Sequence, residues 1–236
     1  MKPTYSSSTE KRIEIKDFFS PFELSKFESA IKLSRLSFYC PYPSRQINSI
    51  YFDDYSYRSL EDSIEGNSLR TKRRIRWYGT EKNKIDATLE IKKKQGIYSW
   101  KKLYKNKYSI NPNAKSWGRM IESKDEKHVP NTVLFNQLPR SIISYNRQYF
   151  CSFDGKVRIT IDQNLQSFSQ NSNWGPNFDQ VRKHYNFMII EVKVSSKDEH
   201  LVELVRQEIP FTPKRFSKYC ESLIPQKYFY LFWRNS

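Results

Sequence analysis

Glycine, cysteine and histidine are scarce in this chain, and each scarcity argues against a class of functional site. Only six of the 236 residues are glycine, which disfavours the glycine-rich loops that cradle phosphate in many nucleotide-binding proteins. The three cysteines and three histidines are scattered. They have neither the paired spacing of a structural zinc site nor the density of a disulfide framework. This usage fits a reducing, cytoplasmic compartment.

Long apolar runs are missing as well. The longest aromatic and apolar run, Tyr228–Trp233, is far shorter than the roughly 20 residues that cross a bilayer. The first residues, MKPTYSSSTEKR, carry no apolar segment of the kind found in signal peptides. We therefore expect a soluble, cytoplasmic protein with no direct membrane insertion.

Positive charge and aromatic side chains are abundant. Lys and Arg total 41 against 25 Asp and Glu, a formal net charge of +16. Such an excess implies an anionic partner, which can be nucleic acid, a membrane surface or a small polyanion. The 16 Phe, 16 Tyr and 5 Trp residues predict a packed core rather than a disordered chain.

The strongest charge pattern lies in residues 69–79, which read LRTKRRIRWYG. Successive side chains of a β-strand point to opposite faces. One predicted face is therefore cationic, and Arg73 lies on the other face with apolar neighbours. A solvated basic surface is the alternative to an anion site. The cationic face holds Arg70, Lys72, Arg74 and Arg76.

Alternation of this kind recurs along the chain and predicts eight strands. Several of them carry arginines and glutamates on one face and apolar residues on the other, which favours a closed barrel with a polar interior. We predict an α+β, mainly β fold: an eight-stranded antiparallel closed barrel with flanking helices, formed by a single domain over residues 10–236 after a flexible tail at 1–9. The predicted strands are 12–16, 46–53, 69–79, 85–94, 98–104, 142–150, 156–162 and 187–194. The predicted helices are 20–36, 55–65, 115–122, 196–206 and 215–223, and 163–185 is a polar connection.

Charged residues on the other strands extend the argument. Cations that faced one lumen together would need a polyanion or carboxylates between them. Glu191 interrupts the apolar strand MIIEVKV, where a charge is costly unless it is paired or bound to a metal. It can be a ligand for Mg²⁺ or Mn²⁺, or the partner of a basic residue. Glu14 and Glu90 are the other strand glutamates, and the single cations are Lys16, Lys92, Lys101, Arg147 and Arg158.

Nine short motifs occur in an order that resembles the VTC (vacuolar transporter chaperone) polyphosphate polymerase domain, a CYTH-like member of the triphosphate tunnel metalloenzymes. The resemblance runs from about residue 10 to 220. The motifs are Arg12-x-Glu14-x-Lys16, Tyr51-Phe52-Asp53, Arg74-x-Arg76-x-Tyr78-Gly79, Glu90-x-Lys92, Ser99-x-Lys101, Tyr145-Asn146-Arg147, Val157-Arg158-Ile159-Thr160-x-Asp162, Glu191-x-Lys193 and Phe216-Ser217-Lys218-Tyr219.

The resemblance implies a tunnel through the barrel and an activity that moves the γ-phosphate of ATP onto a growing inorganic polyphosphate chain. It implies Mn²⁺ or Mg²⁺ as cofactor, held by Glu191 and Glu14, and catalytic roles for Lys218, Arg74 and Arg76. ATP and polyphosphate are the expected partners, with a membrane-protein subunit as a further one and no nucleic acid. The implied phosphate-binding residues are Lys16, Arg74, Arg76, Lys92, Lys101, Arg147, Arg158, Lys193, Arg215 and Lys218.

Two other activities fit the same fold: hydrolysis of triphosphate or polyphosphate, and binding of polyphosphate or inositol phosphates without catalysis. Hydrolytic tunnel enzymes usually begin Glu-x-Glu-x-Lys, whereas this chain begins with Arg12, which is typical of the polymerase branch. Arg215 and Lys218 are expected on one face of the last helix. The glycine usual after the Phe-Ser-Lys-Tyr motif is replaced by Cys220-Glu221-Ser222.

Overall fold

The computed structural model describes residues 7–80, 84–124, 134, 136–170 and 175–225. They form a mainly β fold with a few short helices. The strands are β1 (Ser7–Phe19), β2 (Arg45–Asp53), β3 (Leu69–Tyr78), β4 (Ile85–Gln95), β5 (Tyr98–Ile110), β6 (Ile121–Ser123), β7 (Leu138–Cys151), β8 (Val157–Ser169), β9 (Lys183–His184) and β10 (Met188–Ser195).

Eight of these strands close into an antiparallel barrel. Neighbours follow the order β1, β10, β8, β7, β2, β3, β4 and β5, and β5 pairs back with β1. The closing pairing places Arg12 opposite Ser99 and Ile13 opposite Tyr98. Strands β6 and β9 attach to β5 and β8 outside this ring. The predicted eight-stranded closed barrel is confirmed, and closure pairs both edges of the sheet.

Strand β3 has the two faces that its sequence predicts. Ile75 and Trp77 are buried in a core cluster shared with β2 and β4. A shift of one residue in register would exchange the two faces of the strand. Because the apolar residues must stay in the core, the register is fixed and the cations point into the barrel. The alternate residues Arg70, Lys72, Arg74 and Arg76 line the cavity that the barrel encloses.

Short helices flank the barrel: α1 (Leu24–Leu33), α2 (Arg58–Ile64), α3 (Trp117–Met120), α4 (His200–Glu208) and α5 (Lys218–Leu223). Ser20 and Glu23 form a capping box around a 3-10 turn that leads into α1. Phe27 of α1 and Val205 of α4 pack in one cluster with strand residues such as Val192. Full burial of each such side chain contributes about 1.5–3 kcal/mol. In the part of the chain that the structure describes, no helix is long and apolar enough to cross a membrane.

The predicted polar connection at 163–185 is wrong over its first residues. Strand β8 continues to Ser169, and residues 183 and 184 form β9. Asn164 has a left-handed φ of 53°, and the register between β7 and β8 shifts between Ser144 and Asn146. This bulge breaks the two-residue alternation, so the pattern after Asp162 does not indicate a strand.

The start of the first strand and the start of the last described helix also differ from their predictions. Strand β1 begins at Ser7, and Ser8 pairs with Lys101, so residues 7–9 belong to the barrel rather than to a tail. Residues 1–6 and 226–236 lie outside the described part. At the other end, α5 begins at Lys218 because the Ser217 side chain caps it, accepting a hydrogen bond from the Cys220 N–H at 3.3 Å. Arg215 therefore precedes this helix instead of sharing a face with Lys218.

Candidate functional site

The barrel encloses a cavity of about 980 Å³ with a strongly cationic lining. Among the described residues, fifteen lysines and arginines and only three glutamates line it. Such an excess of like charge in a partly dry space is unfavourable without an anion to offset it. We call this cavity the tunnel.

The structure brings all of the predicted site residues together. Each of the ten cations implied as phosphate-binding lines the tunnel, and so do both implied metal-binding glutamates. Arg158 and Arg215 are exposed there, whereas Arg76, Arg147 and Lys218 are buried. Their roles toward phosphate remain predictions, but their shared location follows from the barrel. The full set is Lys16, Arg74, Arg76, Lys92, Lys101, Arg147, Arg158, Lys193, Arg215, Lys218, Glu14 and Glu191.

Glu90 holds the two arginines that the β3 pattern singles out. Arg74 donates from Nε and Nη2 to Glu90 Oε2, at 2.9 and 2.6 Å, and Arg76 Nη1 lies 3.4 Å from Oε1. Arg74 also donates from Nη1 to the Tyr51 hydroxyl at 2.8 Å. Burial raises the pKa of Glu90, but Arg74 and Arg76 outweigh it and hold that pKa well below its usual value. One carboxylate thus orients two guanidinium groups without neutralising both.

Asp162 links the last helix to the barrel wall. It is fully buried and accepts from Arg147 Nε and Nη2 at 2.5 and 2.7 Å. Lys218 Nζ lies 2.6 Å from Asp162 Oδ2, the oxygen that also accepts from Arg147 Nη2. Burial raises the pKa of Asp162, but Arg147 and Lys218 lower it to about 2. The carboxylate is ionised at neutral pH and positions two cations beside the tunnel.

Glu191 and Glu14 lie on β10 and β1 and contact lysines. Glu191 lies 3.2 Å from Lys16 Nζ and accepts from Lys193 Nζ at 2.7 Å, and Glu14 pairs with Lys92. Burial raises the pKa of each glutamate, but the surrounding cations lower it, to about 2 for Glu14 and well below the usual value for Glu191. The structure contains ion pairs between Glu191 and lysines. Ion pairing was one of the two interpretations that the sequence left open for Glu191.

The same two glutamates are the candidate metal ligands. In the described residues, no group of three His, Cys, Asp or Glu side chains is placed to hold a metal ion. Mg²⁺ commonly binds through one or two carboxylates together with substrate phosphates. Two ionised carboxylates that line the same cationic tunnel fit that mode, in which a bound phosphate would supply the remaining ligands.

Two contacts that sequence reasoning missed hold α5 in place. The Tyr219 hydroxyl donates to Asp53 Oδ2 at 2.6 Å, and the same carboxylate caps the start of α2 by accepting from Ser59 N–H at 2.9 Å. Lys183 donates to the Glu221 carbonyl at 2.5 Å and to the carbonyl of Ile224. Lys183 thereby satisfies two carbonyls at the end of α5.

Other contributors carried weak or no sequence signals. Asp162 shares the two-residue period of Arg158 and Thr160, so its face could be predicted but not its partners. Lys183 lay in the segment assigned to a polar connection. Arg45 precedes the predicted second strand, and nothing in its sequence context indicates that its guanidinium lies over the rings of Tyr42, Tyr78 and Tyr149.

The model of the VTC domain family matches residues 6–224. This chain therefore belongs to the VTC domain family, as the nine motifs suggested. No curated protein sequence matches it.

Solved structures with similar folds have very different sequences. A putative adenylyl cyclase from Hippeastrum, HpAC1, described as having a dominant triphosphatase activity, matches with a TM-score of 0.50 and 13% identity over 92% of this chain and 98% of that chain. PH1819 from Pyrococcus horikoshii OT3 matches with 0.49 and 13% over 90% and 97%. A putative adenylate cyclase from Vibrio parahaemolyticus matches with 0.44 and 10% over 83% of each chain. The Hippeastrum protein shows a shared barrel fold, and at this identity nothing beyond the fold.

Proposed function

We propose that this chain is an ATP-dependent polyphosphate polymerase. The observation that carries the proposal is the tunnel itself: fifteen cations against three glutamates among the described lining residues, enclosed by a closed ring of strands. Arginine forks bind phosphate oxygens bidentately and keep their charge. A linear chain of phosphates has the shape and charge density that such a lining can neutralise.

The reaction needs positioning and charge neutralisation more than a nucleophilic side chain. A terminal oxygen of the polyphosphate chain attacks the γ-phosphorus of ATP. A new P–O bond forms there while the bond from the γ-phosphorus to the β,γ-bridging oxygen breaks, which releases ADP. Arg74, Arg76 and Arg147 would stabilise charge on the equatorial oxygens, and Lys218 would contact the transferred group.

A bound Mg²⁺ or Mn²⁺ would supply charge neutralisation at the phosphate oxygens. Glu191 would hold it, with Glu14 as the second carboxylate. The buried wall of the tunnel restricts the access of water to the γ-phosphorus, which favours phosphate over water as acceptor.

Triphosphate hydrolysis is the second candidate, because a metal held by Glu14 and Glu191 would serve attack by water as well as attack by phosphate. The activity in the Hippeastrum structure's description is of this kind. One assay separates the two activities. With ATP and Mn²⁺, the purified protein should make a polymer that exopolyphosphatase degrades. Release of free phosphate without polymer would contradict the polymerase and support the hydrolase.

Glu191→Gln tests the proposed metal site. The amide keeps the shape of the side chain but removes the charge, so we expect polymer synthesis to fall about 10²- to 10³-fold, the usual cost of losing one electrostatic stabiliser. Binding of tripolyphosphate in the presence of a chelator should be unchanged or tighter, because a negative charge is gone from the tunnel. Electron paramagnetic resonance of Mn²⁺ should show weaker metal uptake by the tripolyphosphate complex.

The matched control for that change is Glu203→Gln, on the surface of α4, where the glutamate pairs with Arg206 outside the tunnel. It should leave synthesis and metal uptake unaltered. Full activity in Glu191→Gln would show that the Glu191 carboxylate is not a ligand of the metal. Tight tripolyphosphate binding with no activity in the unaltered protein would instead favour a non-catalytic binder.

Lys101 predicts a pH dependence of anion binding. Burial lowers the pKa of Lys101, whereas the nearby Glu90 raises it. Arg74 and Arg76 lower it further, so that the pKa is about 8. A bound polyanion favours the ammonium form, so binding raises this pKa and takes up a proton. Affinity for tripolyphosphate should therefore fall, by up to about tenfold per pH unit, as pH rises through 8. Titrations in two buffers of different ionisation enthalpy at pH 8 to 9 would measure the proton uptake.

Lys101→Arg is the matched variant, since arginine stays charged over this range. Its affinity profile should be flatter than that of the unaltered protein, and the comparison cancels ionisation of the ligand. Identical profiles for the two proteins would exclude Lys101 as the titrating group.

A further inference from the structure

The two ends of the tunnel differ in their chemistry. Strand β3 runs along the lumen, and its lining side chains follow one another every two residues, a step of about 7 Å. The series begins at Arg70 and ends at Tyr78. The strand therefore defines a cationic end near Arg70 and an opposite end near Tyr78.

The cationic end adjoins the segment that leads into α5. Lys72 donates to the Ser217 hydroxyl at 2.7 Å. Arg215 lies beside Gly66, where an added Cβ would be 3.6 Å from its Nη1. Lys94, whose pKa burial and Arg70 lower to about 8, lines the same region. Phosphate groups are the ligands that this end fits.

The opposite end is aromatic. The guanidinium carbon of Arg45 lies 4.4 Å from the ring centre of Tyr78, 5.1 Å from that of Tyr149 and 5.2 Å from that of Tyr42. Arg45 Nε also donates to the Tyr149 hydroxyl at 3.1 Å. The three tyrosines line the tunnel, whereas Arg45 is not part of the lining. We call Tyr42, Tyr78 and Tyr149 the tyrosine end.

Contact with Arg45 leaves part of each tyrosine ring surface exposed. Tyr42 and Tyr78 remain 55% and 41% exposed, so each keeps open surface on a cavity that otherwise attracts phosphate. Arg45 holds one side of the cluster by cation–π contacts. A pre-set, half-exposed aromatic surface is suited to stacking with a flat heteroaromatic ring.

We propose that the tyrosine end is a stacking subsite for the base of the nucleoside triphosphate, so that the nucleotide enters the tunnel with its base at Tyr42 and Tyr78. The inference rests on the proposed function, because ATP is the donor in that reaction. Stacking accepts any base, and larger purine rings gain more contact area. The subsite therefore takes nucleoside triphosphates as a class, with purines preferred.

The residues next along the strands fit this placement. Arg76 precedes Tyr78 by two residues on β3, and Arg147 precedes Tyr149 by two on β7, so each arginine lies one step farther into the lumen. A base on the tyrosines would leave its triphosphate among these arginines, pointing toward the cationic end.

In-line phosphoryl transfer explains why the nucleotide and the acceptor would occupy opposite ends of the tunnel. The attacking oxygen and the leaving ADP oxygen must lie on opposite sides of the γ-phosphorus. A nucleotide that enters from the tyrosine end leaves the cationic half of the tunnel to the acceptor. The polymer would then lie along Arg70, Lys72 and Lys94, and ADP would leave past the tyrosines.

The test compares two ligands that differ only by the nucleoside. Binding of ATP and of tripolyphosphate is measured by calorimetry for the full chain and for Tyr42→Ala, Tyr42→Phe and Tyr55→Ala. Base stacking on one ring corresponds to about 5- to 150-fold in affinity. Tyr42→Ala should weaken ATP by an amount in this range and leave tripolyphosphate unchanged, while Tyr42→Phe should retain ATP affinity. Tyr55 is 86% exposed and does not line the tunnel, so Tyr55→Ala should change neither.

A measurement on the unaltered protein avoids any effect of substitution on folding. The triphosphate of 2-aminopurine riboside fluoresces less when its base is stacked, so its emission should fall on binding and recover when excess ATP displaces it. Unquenched emission in the bound state, or equal loss of ATP and tripolyphosphate affinity in Tyr42→Ala, would overturn the stacking subsite while leaving the polymerase proposal intact. Failure of the unaltered protein to bind either triphosphate would overturn both.

Discussion

Replacing Arg74 and Arg76 together by alanine should weaken tripolyphosphate binding about 10²- to 10⁴-fold and abolish polymer synthesis. Each charge-assisted hydrogen bond to a phosphate contributes about 1.5–3 kcal/mol, and the change removes at least one from each arginine. Both side chains point into the tunnel and are already oriented by Glu90. Calorimetric titration with tripolyphosphate measures the loss of binding, and polymer formation from ATP measures the loss of activity.

The structure adds a condition to this experiment. Glu90 is only 4% exposed, and removing both of its partners would leave a buried charge uncompensated, at a cost of about 3–5 kcal/mol in unfolding free energy. Arg74→Ala/Arg76→Ala should therefore be compared with the same pair combined with Glu90→Gln, which removes the charge. The triple variant should melt at a higher temperature than the double variant and still fail to bind.

Arg73→Ala is the matched control on the same strand. Arg73 lies between the two tunnel arginines in sequence but does not line the tunnel. Its replacement should change tripolyphosphate affinity less than about twofold, as expected for a surface substitution. If Arg73→Ala were the damaging change, the faces assigned to β3 would be exchanged and the tunnel interpretation would be wrong.

Lys218→Ala should lower the rate of polymer synthesis about 10²- to 10³-fold, the effect of removing one electrostatic stabiliser of a transition state. Lys218 is buried and ends 2.6 Å from Asp162. Asp162 keeps its two hydrogen bonds from Arg147 when the lysine is absent, so the fold should persist. The fall in kcat should exceed the fall in tripolyphosphate affinity, because the proposed contact strengthens during transfer.

Lys32→Ala, an exposed lysine on α1, is the control for that variant and should retain full activity. Lys218→Arg keeps the charge but cannot reproduce a compact ammonium group next to Asp162, so we expect it to recover only part of the rate. Equal losses in affinity and in kcat for Lys218→Ala would assign the residue to ground-state binding alone. Unaltered polymer synthesis in Lys218→Ala would show that Lys218 does not take part in the reaction.

The barrel and its lumen were largely predictable because alternation reports the two faces of a strand directly. Apolar residues such as Ile75 and Trp77 must face the core, which sends Arg74 and Arg76 to the opposite side. The same reasoning correctly placed Glu14, Lys92 and Glu191 on lumen faces. It failed at Asn164, because a left-handed residue within a bulge changes the phase of the pattern without ending the strand.

The start of α5 shows a second kind of limit. The spacing of Arg215 and Lys218 is compatible with a helix, yet Ser217 begins the helix after Arg215. A helix start depends on which side chain caps the first free N–H groups. Spacing alone does not distinguish a cap from a residue inside the helix.

The sequence by itself determined the local conformations, the inward face of each regular strand and the cationic character of the lumen, because these follow from residue type and a two-residue period. Only the tertiary structure decided which charges meet: Glu90 with Arg74 and Arg76, Asp162 with Arg147 and Lys218, and Lys183 with the end of α5. It also decided that Arg45 contacts Tyr42, Tyr78 and Tyr149, which come from separate segments, at one end of the tunnel. These contacts join residues far apart in the chain, and they depend on strand order, shear and closure, which no local pattern encodes.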